Sequence, residues 1–162
     1  MRSPIIGVMG PGETASPRTC EIAFLLGQQI AQQGWILLTG GRAAGVMDAA
    51  SRGAKQAGGL TIGILPGTTE AGMSEAIDIP ILTGMDSARN HINILTSTVI
   101  IACGMGAGTA SEVALALKAQ KPVILIQVNR TTAEFFRQLG GDRVIIVEQV
   151  DEAIDRIRQI LS

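Results

Sequence analysis

Three short stretches concentrate the residues that could do chemistry: Gly10-Pro11-Gly12-Glu13-Thr14, Gly40-Gly41-Arg42-Ala43-Ala44-Gly45 and Gly104-Met105-Gly106-Ala107-Gly108-Thr109. Glycine lets a backbone come close to a ligand, and a helix starting directly behind such a turn offers unpaired N–H donors and about half a positive charge. The guest that suits this combination is an anion, phosphate first among them. Tight strand-to-helix turns also use glycine for their own geometry, so one such turn carries little; three at one edge of a sheet point to a site. Arg42 stands inside the second turn, where a guanidinium can fork onto a phosphate or another oxyanion. Thr109 and Ser111 follow the third turn and either donate hydroxyls to a phosphate or cap the helix behind it. Glu112 falls in the same first helical turn, where a carboxylate also favours the helix dipole. Asp48 either orients Arg42 or plays that dipole role in its own helix. Arg89 and Asn90 stand near the start of a further helix, Arg89 as a ligand contact or as half of a salt bridge or subunit contact.

Other reactive residue types carry less. His91 is the one histidine and has no acid or cysteine cluster beside it, so no metal site is expected and it reads as helix surface or interface. Cys103 ends a strand next to the third turn and reads as a small buried hydrophobe. The third turn superficially resembles a dinucleotide fingerprint, but that fingerprint follows the first strand and needs an acid closing the second, which here closes Leu38-Thr39-Gly40. NAD is therefore not expected. No Gly-x-x-x-x-Gly-Lys-Ser/Thr stretch exists, which excludes a P-loop.

The elements that must position these turns are legible as short apolar runs alternating with helical patterns. Ile5 to Met9, Trp35 to Thr39, Leu60 to Leu65, Thr98 to Cys103, Val123 to Gln127 and Val144 to Val147 read as buried strands. Ser16-Pro17 opens a helix that buries Ile22, Ala23, Leu26 and Ile30 and stops at Gly34. Further helices are expected over about 45–57, 87–96, 109–119 and 150–161, the last turning Ala153, Ile154, Ile157, Ile160 and Leu161 inward. Residues 66–73 read as a mobile loop. The alternation predicts one α/β domain over 1–162, a doubly wound, mostly parallel, Rossmann-like sheet with helices on both faces, whose ligands bind beyond the carboxyl ends of the strands.

Composition narrows the class of guest. The chain has 162 residues, 46% of them hydrophobic and 2% aromatic, so the core is aliphatic, as a parallel sheet under helices requires. Thirteen basic and fourteen acidic residues leave a net charge of −1, with no global field for a polyanion, and nucleic acid is not an expected partner. Cys20 and Cys103 show no disulfide framework and suit a reducing compartment. Met1-Arg2-Ser3-Pro4 and the short strand behind it read as neither secretory signal nor membrane span, so the expected location is the cytoplasm.

The string from Gly104 to Glu112 resembles the Pro-Gly-Gly-x-Gly-Thr-x-x-Glu motif of the Lonely-guy group, once labelled lysine decarboxylases. Residues 40–47 resemble that group's second glycine turn and 59–66 the strand after it. Short length, the opening Ile6-Gly7-Val8-Met9-Gly10 and Arg89-Asn90 look most like the molybdenum-cofactor carrier proteins and their bacterial relatives. The resemblance implies a non-catalytic carrier whose ligand is the molybdenum cofactor, held by Gly10, Gly12, Glu13, Thr14, Gly40, Gly41, Arg42, Arg89, Asn90, Gly104, Gly106, Gly108, Thr109 and Glu112. The alternative it implies is a phosphoribohydrolase that cleaves nucleoside 5'-monophosphates, with Arg89 and Glu112 as its catalytic pair. The enzymes carry Arg-Lys where this chain has Arg89-Asn90, and their motif opens Pro-Gly where Gly104 and Met105 stand. The decarboxylase label fails because Lys55, Lys118 and Lys121 are placed away from the glycine turns, leaving pyridoxal phosphate no Schiff-base lysine. Apolar residues such as Phe24, Leu25, Ile92 and Leu95, with the resemblance, predict a homodimer or homotetramer; molybdoenzymes are the implied clients.

Overall fold

In the computed structural model, which describes residues 2–162, the runs of Ile, Val and Leu form strands and the segments with three- to four-residue apolar spacing form helices. The order is β1 (Ile5–Met9), α1 (Pro17–Gln32), β2 (Ile36–Thr39), α2 (Gly45–Gln56), β3 (Thr61–Leu65), β4 (Ile79–Leu82), α3 (Arg89–Thr96), β5 (Val99–Cys103), α4 (Ala107–Lys118), β6 (Val123–Ile126), α5 (Arg130–Gly140), β7 (Val144–Ile146) and α6 (Val150–Leu161). A 3₁₀ turn over Asp86–Ala88 leads into α3.

The strands form one sheet in the order β4-β3-β2-β1-β5-β6-β7, and every neighbouring pair is parallel. The chain builds outward from β1 to β4 and then returns to the other side of β1 to lay down β5. The loops leaving β1 and β5 therefore part toward opposite faces and open a crevice at the carboxyl edge. Alternate strand residues feed two aliphatic layers. Ile6, Val8, Val99, Ile101 and Cys103 pack with α1, α2 and α6, while Met9, Ile100, Ala102, Val123 and Leu125 pack with α3, α4 and α5. The sheet is thus doubly wound.

Local signals explain most boundaries. Ser16 Oγ accepts from the Thr19 N–H at 3.1 Å with Pro17 at the first helical position, and Gly34 leaves the helix with φ +73°. Two elements were not legible. β4 is a seventh strand that contains Pro80; as an edge strand it pairs only with β3 and has no need of the missing N–H on its outer side. α5 starts at Asn129, whose Oδ1 accepts from the Thr132 N–H at 2.8 Å, but Phe135 and Leu139 on its outer face blur the periodicity that Ala133 and Phe136 would give alone. Ile160 is exposed on α6, contrary to expectation. Residues 66–73, expected as a mobile loop, are tied at both ends: Ala43 N–H donates to Gly72 O at 2.8 Å, Ser74 N–H to Gly41 O at 2.9 Å, Gly84 N–H to Gly67 O at 2.9 Å and Asp86 N–H to Pro66 O at 3.0 Å.

One boundary matters for the site. α4 begins at Ala107, two residues before the expected start, because Gly106 is extended and serves as N-cap with no side-chain bond. Thr109 and Ser111 are therefore inside the helix and cap nothing. Glu112 lies in the second turn, beyond the reach of the terminal dipole that the sequence suggested for it.

Candidate functional site

The carboxyl ends of β1, β2 and β5 and the starts of α2, α3 and α4 enclose a cavity of about 430 Å³. Gly10, Gly12 and Thr14 line it from the first turn, Gly40 and Arg42 from the second, and Gly106, Gly108 and Thr109 from the third, with Glu112 from α4 and Arg89 and Asn90 from α3. The three turns thus face one space. Glu13, Gly41 and Gly104 do not line it. Gly41 (φ +79°) and Gly104 (φ +76°) shape their turns instead, with Gly41 N–H on Thr39 Oγ1 at 3.1 Å and Gly104 N–H on Ile126 O at 2.9 Å. Met9, Pro11, Met47, Pro66, Asp86, Ser87 and Ala107 complete the wall. Met9, Pro11, Pro66 and Ala107 adjoin a predicted site residue or a strand end, whereas Met47, Asp86 and Ser87 had no such signal in the sequence.

The floor holds two buried ionisable groups, one basic and one acidic. Arg89 is 8% exposed and Glu112 6% exposed, yet Arg89 forms no ion pair among the described residues. Its Nη1 donates to Asn90 Oδ1 at 3.0 Å, and its buried Nε has no partner. Gly40 makes room for this guanidinium: a Cβ there would meet Nη1 and Nη2 at 2.9 Å each. Burial lowers the Arg89 pKa, Glu112 opposes that, and the charge of Arg42 adds to it. Burial pushes the Glu112 carboxyl up to about 7, against a 2.8 Å hydrogen bond from Asn93 Nδ2 and the positive charge of Arg89. Asn93 itself is fully buried and its Oδ1 has no partner. Sequence reasoning missed Asn93; it lies one helical turn after Arg89 on the same face of α3.

The rim is built differently. Arg42 pairs with Glu13 across the first two turns, and both side chains are largely solvated. Its backbone is fixed by a bridge to Met73. Glu13 thus acts as a counter-ion for Arg42. Asn90 Nδ2 donates to Ser111 Oγ at 3.1 Å, and that hydroxyl donates to Gly108 O at 2.6 Å, which joins α3 to α4 at the mouth.

Three further placements bear on the expectations. Asp48 does not orient Arg42: it accepts from Arg52 Nε at 2.7 Å and from Ser74 Oγ at 2.6 Å, because α2 turns it toward its own next turn and the residue 74 loop. Cys103 is buried, its Sγ set 3.6 Å from Thr19 O and its thiol pushed up to about 12 by burial, which suits packing and not reactivity. Lys121 Nζ donates to the carbonyls of Leu95 and Ser97 beyond the amino edge of the sheet, away from the cavity. Among the described residues no cluster of three or more His, Cys, Asp or Glu could hold a metal ion, and no helix is long and apolar enough to cross a membrane.

Comparison with known proteins agrees with this geometry. The molybdenum cofactor binding protein from the phototrophic bacterium Rippkaea orientalis superposes with a TM-score of 0.97 at 55% identity, covering 100% of this chain and 99% of that one. The molybdenum cofactor carrier protein of Chlamydomonas reinhardtii gives 0.95 at 53%, covering 99% of each. An uncharacterized protein of Archaeoglobus fulgidus is 44% identical over 118 residues, 73% of this chain and 76% of its own length. The profile of the SLOG cluster4 family matches residues 3–154, nearly the whole described chain, and the protein belongs to that family.

Proposed function

We propose that the cavity binds the molybdenum cofactor and that the chain carries and protects it without turning it over. One observation carries the reading: a buried guanidinium, Arg89, with no carboxylate on it, at the floor of a space walled by three glycine turns. An unpaired buried cation is costly, and an anionic guest removes that cost. The cofactor, a pterin bearing one phosphate and an oxo-molybdenum group, has such anionic ends. The residues present fit it: backbone N–H groups at the start of α4 and Arg89 suit the phosphate, Arg42 suits a second anionic end, and Thr14, Asn90 and Thr109 offer polar contacts. The similarity to proteins described as binding or carrying this cofactor supports the same assignment. Residues 1–162 act as one domain in the cytoplasm, as a homodimer or homotetramer that hands its cargo to molybdoenzymes. Expression in cells that make the cofactor, followed by mass spectrometry of what copurifies, tests it: the pterin at near one per chain is expected, and its absence overturns the assignment.

A second reading has its own observation. A carboxyl raised to about 7 beside an arginine is the state a general acid or base requires, so Glu112 and Arg89 also suit cleavage of a nucleoside 5'-monophosphate to base and ribose 5-phosphate. Incubation with AMP separates the two. Release of free base, abolished by Glu112→Ala, favours the enzyme; no release favours the carrier.

A further inference from the structure

Arg89 and Glu112 are opposite in charge, buried, and exposed to the same cavity, yet no nitrogen–oxygen pair between them comes within 4.0 Å, the limit of an ion pair. Once Glu112 ionises, two such groups in a medium of low dielectric attract strongly, so something must hold the carboxylate off the guanidinium. The structure assigns that role to Asn93: its amide occupies the Glu112 carboxyl and so keeps the Arg89 guanidinium free for an anionic guest. This deepens the function proposed above, resting on the cavity being an anion site and not on which anion fills it.

One contact supports it directly. Asn93 Nδ2 donates to Glu112 Oε1 at 2.8 Å. The two buried side-chain polar atoms without a partner among the described residues are Asn93 Oδ1 and Arg89 Nε, an acceptor and a donor one helical turn apart. The amide therefore holds the glutamate through its nitrogen and leaves the arginine unbonded, so that the guanidinium keeps its donors for a guest. Asn93 is fully buried and does not line the cavity, so a guest cannot use it directly and its effect passes through Glu112. Its backbone carbonyl accepts from Ser97 N–H at 3.2 Å and Ser97 Oγ at 2.8 Å, bonds that end α3 and do not involve the side chain. The other charged groups around the pair are Arg42 from the second turn, already matched by Glu13, and Asp86, which lines the cavity from the 3₁₀ turn before α3.

The test is a carbon-13 carboxyl NMR titration of the full chain and of Asn93→Ala, with the Glu112 signal identified by its loss in Glu112→Gln. Asn93 as a simple hydrogen-bond donor holds the Glu112 midpoint down, so losing it would push the midpoint further up from about 7. Asn93 as a spacer gives the opposite sign: freed from the amide, the carboxylate closes on Arg89 and its midpoint falls below the ordinary 4.5. In parallel, affinity for inorganic phosphate drops about tenfold in Asn93→Ala and returns when Glu112→Gln is added, because a neutral amide cannot trap the arginine. A midpoint that stays or rises, or a double variant as weak as the single one, overturns the proposal. Asn93→Ser replaces Asn93→Ala if the latter does not fold, with the same expected signs. A wild-type chain that binds no phosphate also overturns it, since the cavity would then not be the anion site on which the proposal rests. Failure to bind molybdenum cofactor with the titration as expected would remove the cargo and leave the spacer.

Discussion

The two arginines of the cavity teach more by their difference than by their shared charge. Arg42 sits at the rim, solvated and already matched by Glu13. Arg89 sits at the floor, buried, with an amide and no carboxylate for company. A guest that meets Arg42 must displace a counter-ion and compete with water, and such exposed pairs contribute little. A guest that meets Arg89 relieves a charge that folding left desolvated, so the same chemical group is worth far more there. On the proposed reading, selectivity for an anion belongs to the floor, and the rim assists its approach.

The largest expected effect comes from removing the floor charge. Arg89→Met is expected to weaken guest binding at least about a hundredfold, roughly 3 kcal/mol. Its thermal midpoint should equal or exceed that of the wild type, since an unpaired buried charge is replaced by an apolar chain of similar size. A variant that binds normally, or that loses binding only because it unfolds, breaks the comparison.

Next in size is pH. Glu112 is raised from 4.5 to about 7 by burial, so its folded form favours the proton. Its contribution to stability is full below about 4.5 and is lost as pH rises through about 7, a change of order a few kcal/mol. Anion affinity follows the same direction, falling about tenfold between pH 6 and 8 as a negative charge appears on the floor. Glu112→Gln should flatten both profiles, which denaturation and titration with sulfate, an anion whose own charge is constant across that range, would show.

Smaller effects are expected at the rim. Arg42→Ala should cost about threefold to tenfold in affinity, a loss that shrinks in 0.5 M salt because the group is exposed. Glu13→Gln should improve affinity about twofold by freeing Arg42, and isothermal titration at low salt is sensitive enough to see it. A larger effect from either than from Arg89→Met would reverse the ranking of floor and rim.

How much of this was legible in the sequence depends on the range of the interaction involved. Ser16-Pro17, the β-branched runs and the glycines that follow them act within a few residues, and α1, the central strands and the ligand edge followed from them. The resemblance to the molybdenum-cofactor carriers rested on such contiguous strings as well. β4 was hidden by Pro80, and α5 by the exposed Phe135 and Leu139. Within the site, the sequence favoured Arg42 because it stands inside a glycine turn, whereas what raises Arg89 above it is burial and the lack of a partner. Those properties depend on which residues α4 and β2 bring near α3. Asn93 could not be singled out for the same reason: its partner lies 19 positions away.

Equilibrium titration of isolated molybdenum cofactor against the wild type, Arg89→Met and Arg42→Ala side by side tests the central claim most directly. The account predicts a wild-type Kd below about 100 μM, a loss of no more than about tenfold without Arg42 and no measurable binding without Arg89. Equal losses in the two variants, or no binding by the wild type, would contradict it.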